Sequence, residues 1–213
     1  MVGGREMGLI KLLIKGGVMM IPLLICSVVS LTVIIERFLF WHRIRSKDLP
    51  ERVLQLVEGD QFEEALNLAR QERNPILQVL AAGIEHRNPS PTEAMEVSAL
   101  SEIPAMKRYL PALDTIVTLA PLLGLLGTIT GMISSFGIMS LAGIGQPHAI
   151  TGGIAEALIA TATGLSVAIF TLIPYNYFHS KSERRIEEIE RYASRLELLL
   201  KGKQGQGGPS HAD

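Results

Sequence analysis

Cysteine is almost absent. Cys26 is the only one in 213 residues, so no disulfide can form within the chain. It lies in an apolar run, where a thiol packs as a small hydrophobe. Charge is also scarce: Asp, Glu, Lys and Arg make up 19% of the chain and nearly cancel, to a net −1. No basic run is interleaved with aromatics, so there is no case for nucleic-acid binding. The signatures of catalysis are missing too. There is no GxxxxGK[ST], no GxSxG and no HExxH, and the five histidines are dispersed. No catalytic residue, metal site or cofactor is therefore expected, and the chain reads as something other than an enzyme. What fills the chain instead is apolar, at 47% of residues, which points to a membrane protein carrying a polar portion.

The apolar residues gather in three charge-free runs: Gly16 to Ile35, Thr115 to Ala155, and Ala157 to Phe178. A helix needs about 20 residues to cross roughly 30 Å of hydrocarbon, so three spans fit. The middle run is long, and a Gly- and Pro-containing stretch at Gly143–Pro147 breaks it. The first run has no clear small-residue cleavage site and ends in Glu36-Arg37, so it reads as a retained helix rather than a signal peptide.

In order, residues 1–15 place Leu9, Ile10, Leu12, Leu13 and Ile14 beside Lys11 and Lys15. They form either an amphipathic segment on the membrane or a frayed start to the first span. The first transmembrane helix is expected over 16–41, turning in at Gly16-Gly17 and ending at Phe38, Phe40 and Trp41. His42, Arg43, Arg45 and Lys47 follow, and the positive-inside rule sets that end in the cytoplasm. Residues 42–109 then form a cytoplasmic helical domain. Asp60–Glu63 and Ser90–Glu93 read as capping boxes, and Asn74-Pro75 and Asn88–Pro91 as breaks. From Pro91 no strong stop precedes the second span at 110–140, so one long helix is expected, bent at Pro104, Pro111 and Pro121. Asp114 lies just past its inner interface, either as a stop on an ion path or as a solvated or paired carboxylate.

An uncharged loop at 141–150 fits the outer face. The third span follows over 151–178, closing in the aromatic belt Pro174–Phe178 with Lys181, Arg184 and Arg185 beyond. All three spans then agree on an outside N-terminus and an inside C-terminus. Apolar residues at helical spacing predict a cytoplasmic helix over 179–201, and the Gly-rich residues 202–213 read as a disordered tail.

Two of the spans are unusual in their small residues. Pro121, Gly124, Thr128, Gly131 and Ser135 step by 3, 4, 3 and 4, so they share one helical face, and Gly127 pairs with Gly131 as GxxxG. Gly153, Ala157, Thr161, Gly164 and Ala168 make a similar face on the third span. In lipid such faces replace the missing hydrophobic drive with close backbone packing. Two stripes among three spans exceed what one subunit consumes, which favours oligomerisation over contacts within a chain.

Glu156 is the one carboxylate in this region. A charge at mid-bilayer costs about 2.5–3.5 kcal/mol, so an acid there is a functional candidate unless it sits near the outer headgroups. Glu156 and Thr161 point about 140° apart on a helix, so they cannot both face one axis. Thr128, Thr130, Thr161 and Thr163 either bond their own helix carbonyls or line an ion path.

APLLGLLGTITGMISSF from Ala120 and GGIAEALIATATGLSVAIFTLIPYNYF from Gly152 together resemble the paired signature of the MotA/TolQ/ExbB proton-channel family. The three-span layout resembles its ExbB and TolQ branch. The resemblance implies an all-α membrane protein with three transmembrane helices and long cytoplasmic helical extensions. It implies that copies assemble as a ring, typically a homo-pentamer, in the bacterial inner membrane. The ring would enclose a single-span partner similar to ExbD or TolR, whose membrane aspartate carries the proton. Proton flow would then drive work across the envelope, with TonB-dependent import first and TolQ-like envelope maintenance, gliding motility or a passive scaffold as alternatives. By motif position, Thr128 in GLLGT and Thr161 in ALIATA match the family's lumen threonines, with Thr163 nearby. Glu156 in GIAEAL matches its acidic position. Pro121, Gly124, Gly127, Gly131, Ala157 and Gly164 are the expected packing and oligomerisation positions. Phe170–Pro174 departs mildly from the family's usual ending of this motif.

Overall fold

The computed structural model describes residues 16–44, 48–142 and 147–206. The expected N-terminal segment 1–15 lies outside them. Seven helices and no strand occur among the described residues, so the fold is all-α. They are α1 (Met20–Arg43), α2 (Leu49–Glu58), α3 (Phe62–Gln71), α4 (Pro75–Glu85), α5 (Pro91–Lys107), α6 (Leu110–Ala142) and α7 (Pro147–Gln206). Stretches in α1, α6 and α7 are long and apolar enough to cross a membrane. The chain divides into two compact units, Met1–Arg37 with Tyr109–Phe178, and Phe38–Arg108 with His179–Asp213.

The first unit packs parts of α1, α6 and α7. Its core joins Met20 and Leu23 of α1 to Ala120 of α6 and Ala168 of α7, with Leu123 and Val167 against them. The core is thin because the helices approach through small residues. The large apolar residues point outward instead: Ile21, Leu122, Ile133, Leu158, Phe170 and Ile173 are all exposed. That inversion suits a solvent of hydrocarbon.

The second unit has an ordinary interior. Val53, Leu54 and Val57 of α2, Ile76, Leu77 and Leu80 of α4, Met106 of α5 and Leu196 of α7 are fully buried. Gly83 lets α4 close on Met95 and Leu196, since a Cβ there would come within 2.7 Å of Met95 Cγ. Polar pairs hold the C-terminal half of α7 within this unit. Arg195 grips Glu51 with two bonds of 2.7 and 2.8 Å, Lys107 meets Glu183 at 2.8 Å, and Ser182 Oγ donates to the Met106 carbonyl at 3.1 Å.

The expected bent helix from Pro91 into the second span is instead two helices. α5 ends at Lys107, Arg108 is extended (ψ 134°), and Tyr109 takes a left-handed φ of 63°. Pro111 then falls in the first turn of α6, where a missing N–H costs nothing, so it starts a helix instead of bending one. Pro104, Pro121 and Pro174 do lie inside helices.

Neither capping box forms. Asp60 has φ 61° and its carboxylate takes Lys203 at 2.6 Å, while α3 starts from Gln61 without a side-chain cap. Ser90 precedes α5 but caps nothing through its side chain. Asn74 is the cap that works, since its Oδ1 accepts the Ile76 N–H at 3.1 Å. The expected loop 141–150 is partly helical, because α6 runs to Ala142 and α7 begins at Pro147. The start of the expected tail is helical as well. α7 continues through Gly202 to Gln206, with Lys203 anchored on Asp60, and residues 207–213 lie outside the described set.

Candidate functional site

The site is the face where α6 meets α7, flanked by the start of α1. α6 and α7 touch backbone to backbone there, and each close approach needs a residue without a side chain. A Cβ on Gly164 would come within 2.5 Å of the Ala120 carbonyl, beside Pro121, and 3.0 Å of Gly124 Cα. One on Gly124 would lie 3.0 Å from Thr161 Cα, and one on Gly131 would lie 3.0 Å from Ala157 Cβ. Gly127 faces Ala160 in the same way and also Met19.

The two small-residue stripes are therefore spent on each other. Gly124, Gly127, Gly131, Ala157 and Gly164 serve packing inside one chain. Gly137 of α6 and Gly152 of α7 face open space.

The hydroxyls divide into two kinds. Thr128 donates to the Leu125 carbonyl at 2.6 Å, Thr130 to Leu126 at 3.0 Å and Thr163 to Ile159 at 2.8 Å, all within their own helices. Thr161 differs. Its Oγ1 reaches across to the Gly124 carbonyl of α6 at 2.9 Å. Gly124 and Thr128 are four residues apart on one helical face, so this bond brings Thr161 within a turn of Thr128. Sequence spacing gave each threonine alone, and the structure sets Thr161 on the Gly124 carbonyl, one helical turn from Thr128.

Glu156 does not join that pair. It is half-buried on α7, with its carboxylate against Gly17 ahead of α1, while Thr161 faces α6. The angular divergence expected from the helix is realised as contacts with two different helices.

Three further polar contacts lie in the first unit, and the second of them decides between the alternatives open for Asp114. Ser30 of α1 and Thr171 of α7 share a buried hydrogen bond of 2.7 Å. A hydroxyl at mid-span was its only sequence signal. The Tyr175 hydroxyl bonds the Asp114 carboxylate, which makes Asp114 a paired acid. Arg37 is 1% exposed, bonds Glu36 at 2.7 Å and lies 5.7 Å from the centre of the Tyr109 ring. No group of three metal-ligating side chains occurs among the described residues.

Comparison with known proteins follows the same stretch. The model of the MotA/TolQ/ExbB proton channel family matches residues 71–191. The chain is 39% identical over 197 residues to the biopolymer transport protein ExbB-like 1 of Synechocystis sp., covering 88% of this chain and 77% of that one. It is 30% identical over 182 residues to an ExbB homolog of Methanothermobacter thermautotrophicus, covering 83% and 64%. Against the Tol-Pal system protein TolQ of Pseudomonas aeruginosa it is 36% identical over 107 residues, covering 50% and 46%.

Proposed function

This chain belongs to the MotA/TolQ/ExbB proton channel family, on its ExbB/TolQ side, and from that premise we propose that it is the channel subunit of a proton-driven envelope motor. It works without chemistry of its own. Copies form a ring, five in number, around the membrane helix of an ExbD- or TolR-like partner that carries an aspartate. TonB-dependent import is the work we favour, with Tol-like envelope maintenance or gliding motility as the second use of the same device.

The orientation follows from the cations. Arg43 ends α1, Lys107 and Arg108 precede α6, and Lys181, Arg184 and Arg185 follow the aromatic belt of α7. Their bias supports a reading with these ends inside and the N-terminus outside.

The observation that carries the mechanism is the Thr161 bond to Gly124 beside Thr128. Each hydroxyl proton is committed to a backbone carbonyl, so each oxygen offers lone pairs to its surroundings. A protonated carboxylic acid from the partner finds acceptors there. Once that acid loses its proton, the same hydroxyls rotate and donate to the carboxylate. Threonine thus serves both states of a proton carrier without being charged itself. Glu156 is the fixed acid on the path, set apart on the α1 side.

Proton uptake by liposomes holding the chain with its partner tests this. Thr161→Val keeps the shape and removes the hydroxyl, and uptake is expected to fall by on the order of a hundredfold, the scale of losing one positioned polar group. Thr161→Ser restores much of it. Wild-type uptake by the valine variant would remove Thr161 from the path.

A further inference from the structure

Position 17 is built in an unusual way. Gly17 has φ +71°, a left-handed conformation that side chains rarely adopt, and it stands just ahead of α1. Its carbonyl accepts the Met20 N–H at 3.1 Å, so it closes the first turn of that helix. A Cβ built on Gly17 would overlap Oε1 of Glu156, lie 2.8 Å from its Cδ and 3.2 Å from its Cγ. The whole end of the Glu156 side chain therefore occupies the space a side chain at 17 would need.

The neighbourhood fixes this contact on both sides. A Cβ on Gly16 would lie 3.2 Å from Ile159 Cγ2, on the next turn of α7 after Glu156. Met20 is buried in the core shared with α6 and α7. The start of α1 is thus pinned against α7 above and below the carboxylate.

We propose that Gly17 is the positioning residue for Glu156, holding its carboxylate against the start of α1 and away from the Thr161 bond to α6. The proposal rests on the reading of Glu156 as part of the proton path. An α-helix presents partial positive charge at its amino end, which suits a carboxylate placed there. The consequence is that α1 sets where the fixed acid stands. Any residue larger than glycine at 17 drives the carboxylate off its seat, towards lipid or towards the threonines.

The test uses the full chain with its partner in liposomes, with proton uptake read by an enclosed pH-sensitive dye. Gly17→Ala is expected to lower uptake by on the order of a hundredfold, the scale of misplacing a reacting group by about an ångström. Adding Glu156→Asp draws the carboxylate back by one methylene and is expected to bring uptake to the level of Glu156→Asp alone. Backbone strain at position 17 is the same in both, so a double variant as poor as Gly17→Ala overturns the proposal. Unchanged uptake by Gly17→Ala overturns it too. Should Glu156→Asp itself abolish uptake, the melting temperature of the chain in detergent decides. The drop caused by Gly17→Ala should be smaller in a Glu156→Ala background, where only the backbone strain remains, and an equal drop in both backgrounds rejects the seat. Glu156→Gln tests the premise separately: unchanged uptake takes Glu156 off the proton path while the melting comparison still judges the seat.

Discussion

Ser30 of α1 donates its hydroxyl proton to Thr171 of α7 across 2.7 Å in the interior of the first unit. The direction follows from Thr171, whose own proton goes to the Val167 carbonyl at 2.8 Å. Both side chains are buried, at 5% and 1% exposure. Bonds of this kind between membrane helices average about 0.6 kcal/mol and reach about 1.7. Ser30→Ala should therefore weaken the chain modestly, because Thr171 keeps its own carbonyl. A melting cycle of Ser30→Ala, Thr171→Val and both is expected to show coupling within that range. Strict additivity would mean that the two hydroxyls do not depend on each other.

Glycines on these helices should respond in opposite directions according to what they face. Gly164→Ala puts a methyl 2.5 Å from the Ala120 carbonyl, and that neighbour is backbone, which cannot swing aside. Overpacking of this kind costs about 1–3 kcal/mol. Gly137 also lies inside α6, but nothing stands within 4 Å of its built Cβ. Gly137→Ala should leave the chain unharmed or more stable by about 0.5–1 kcal/mol, the usual helix preference for alanine. Melting temperatures of the two variants, measured side by side in detergent, should move apart. A common direction would contradict the packing of α6 on α7.

Much of this was legible in the residues. Charge-free runs announced three membrane helices, and small residues at steps of 3 and 4 marked the faces that meet. Which face meets which was not legible, because a stripe of Gly124, Gly127 and Gly131 looks the same whether it packs on its own chain or on another. The contact of Gly17 with Glu156 joins residues far apart in sequence, and no periodicity encodes it. Local signals also failed where tertiary contacts outbid them. Asp60 has the composition of a cap, yet Lys203 from the far end of the chain takes its carboxylate. The break at Tyr109 was hidden for a different reason: a left-handed tyrosine has no sequence signature, and Pro111 reads equally as a bend or a start.

The outer pairs of the second unit carry a pH dependence that can be isolated at one residue. The hydrogen bonds from Arg195 hold the Glu51 carboxyl below its ordinary value of 4.5, and Lys107 does the same to Glu183. A carboxyl depressed in the folded state takes up its proton more readily when unfolded. Its contribution is therefore fully present above the unfolded value and is lost as pH falls through the folded one. Glu51 and Arg195 are nearly half exposed, at 43% and 47%, so water screens the pair and its worth stays below about 1 kcal/mol. Trp41 is the only tryptophan, buried at 4% in this unit, so its fluorescence follows unfolding of this part of the chain. Denaturant unfolding of the wild type and Glu51→Gln should differ at neutral pH, with the variant weaker. The two curves should then converge in acid, where a protonated Glu51 resembles the amide. A gap that stays constant down to acid would mean that Glu51 stabilises the unit by packing and not by its charge.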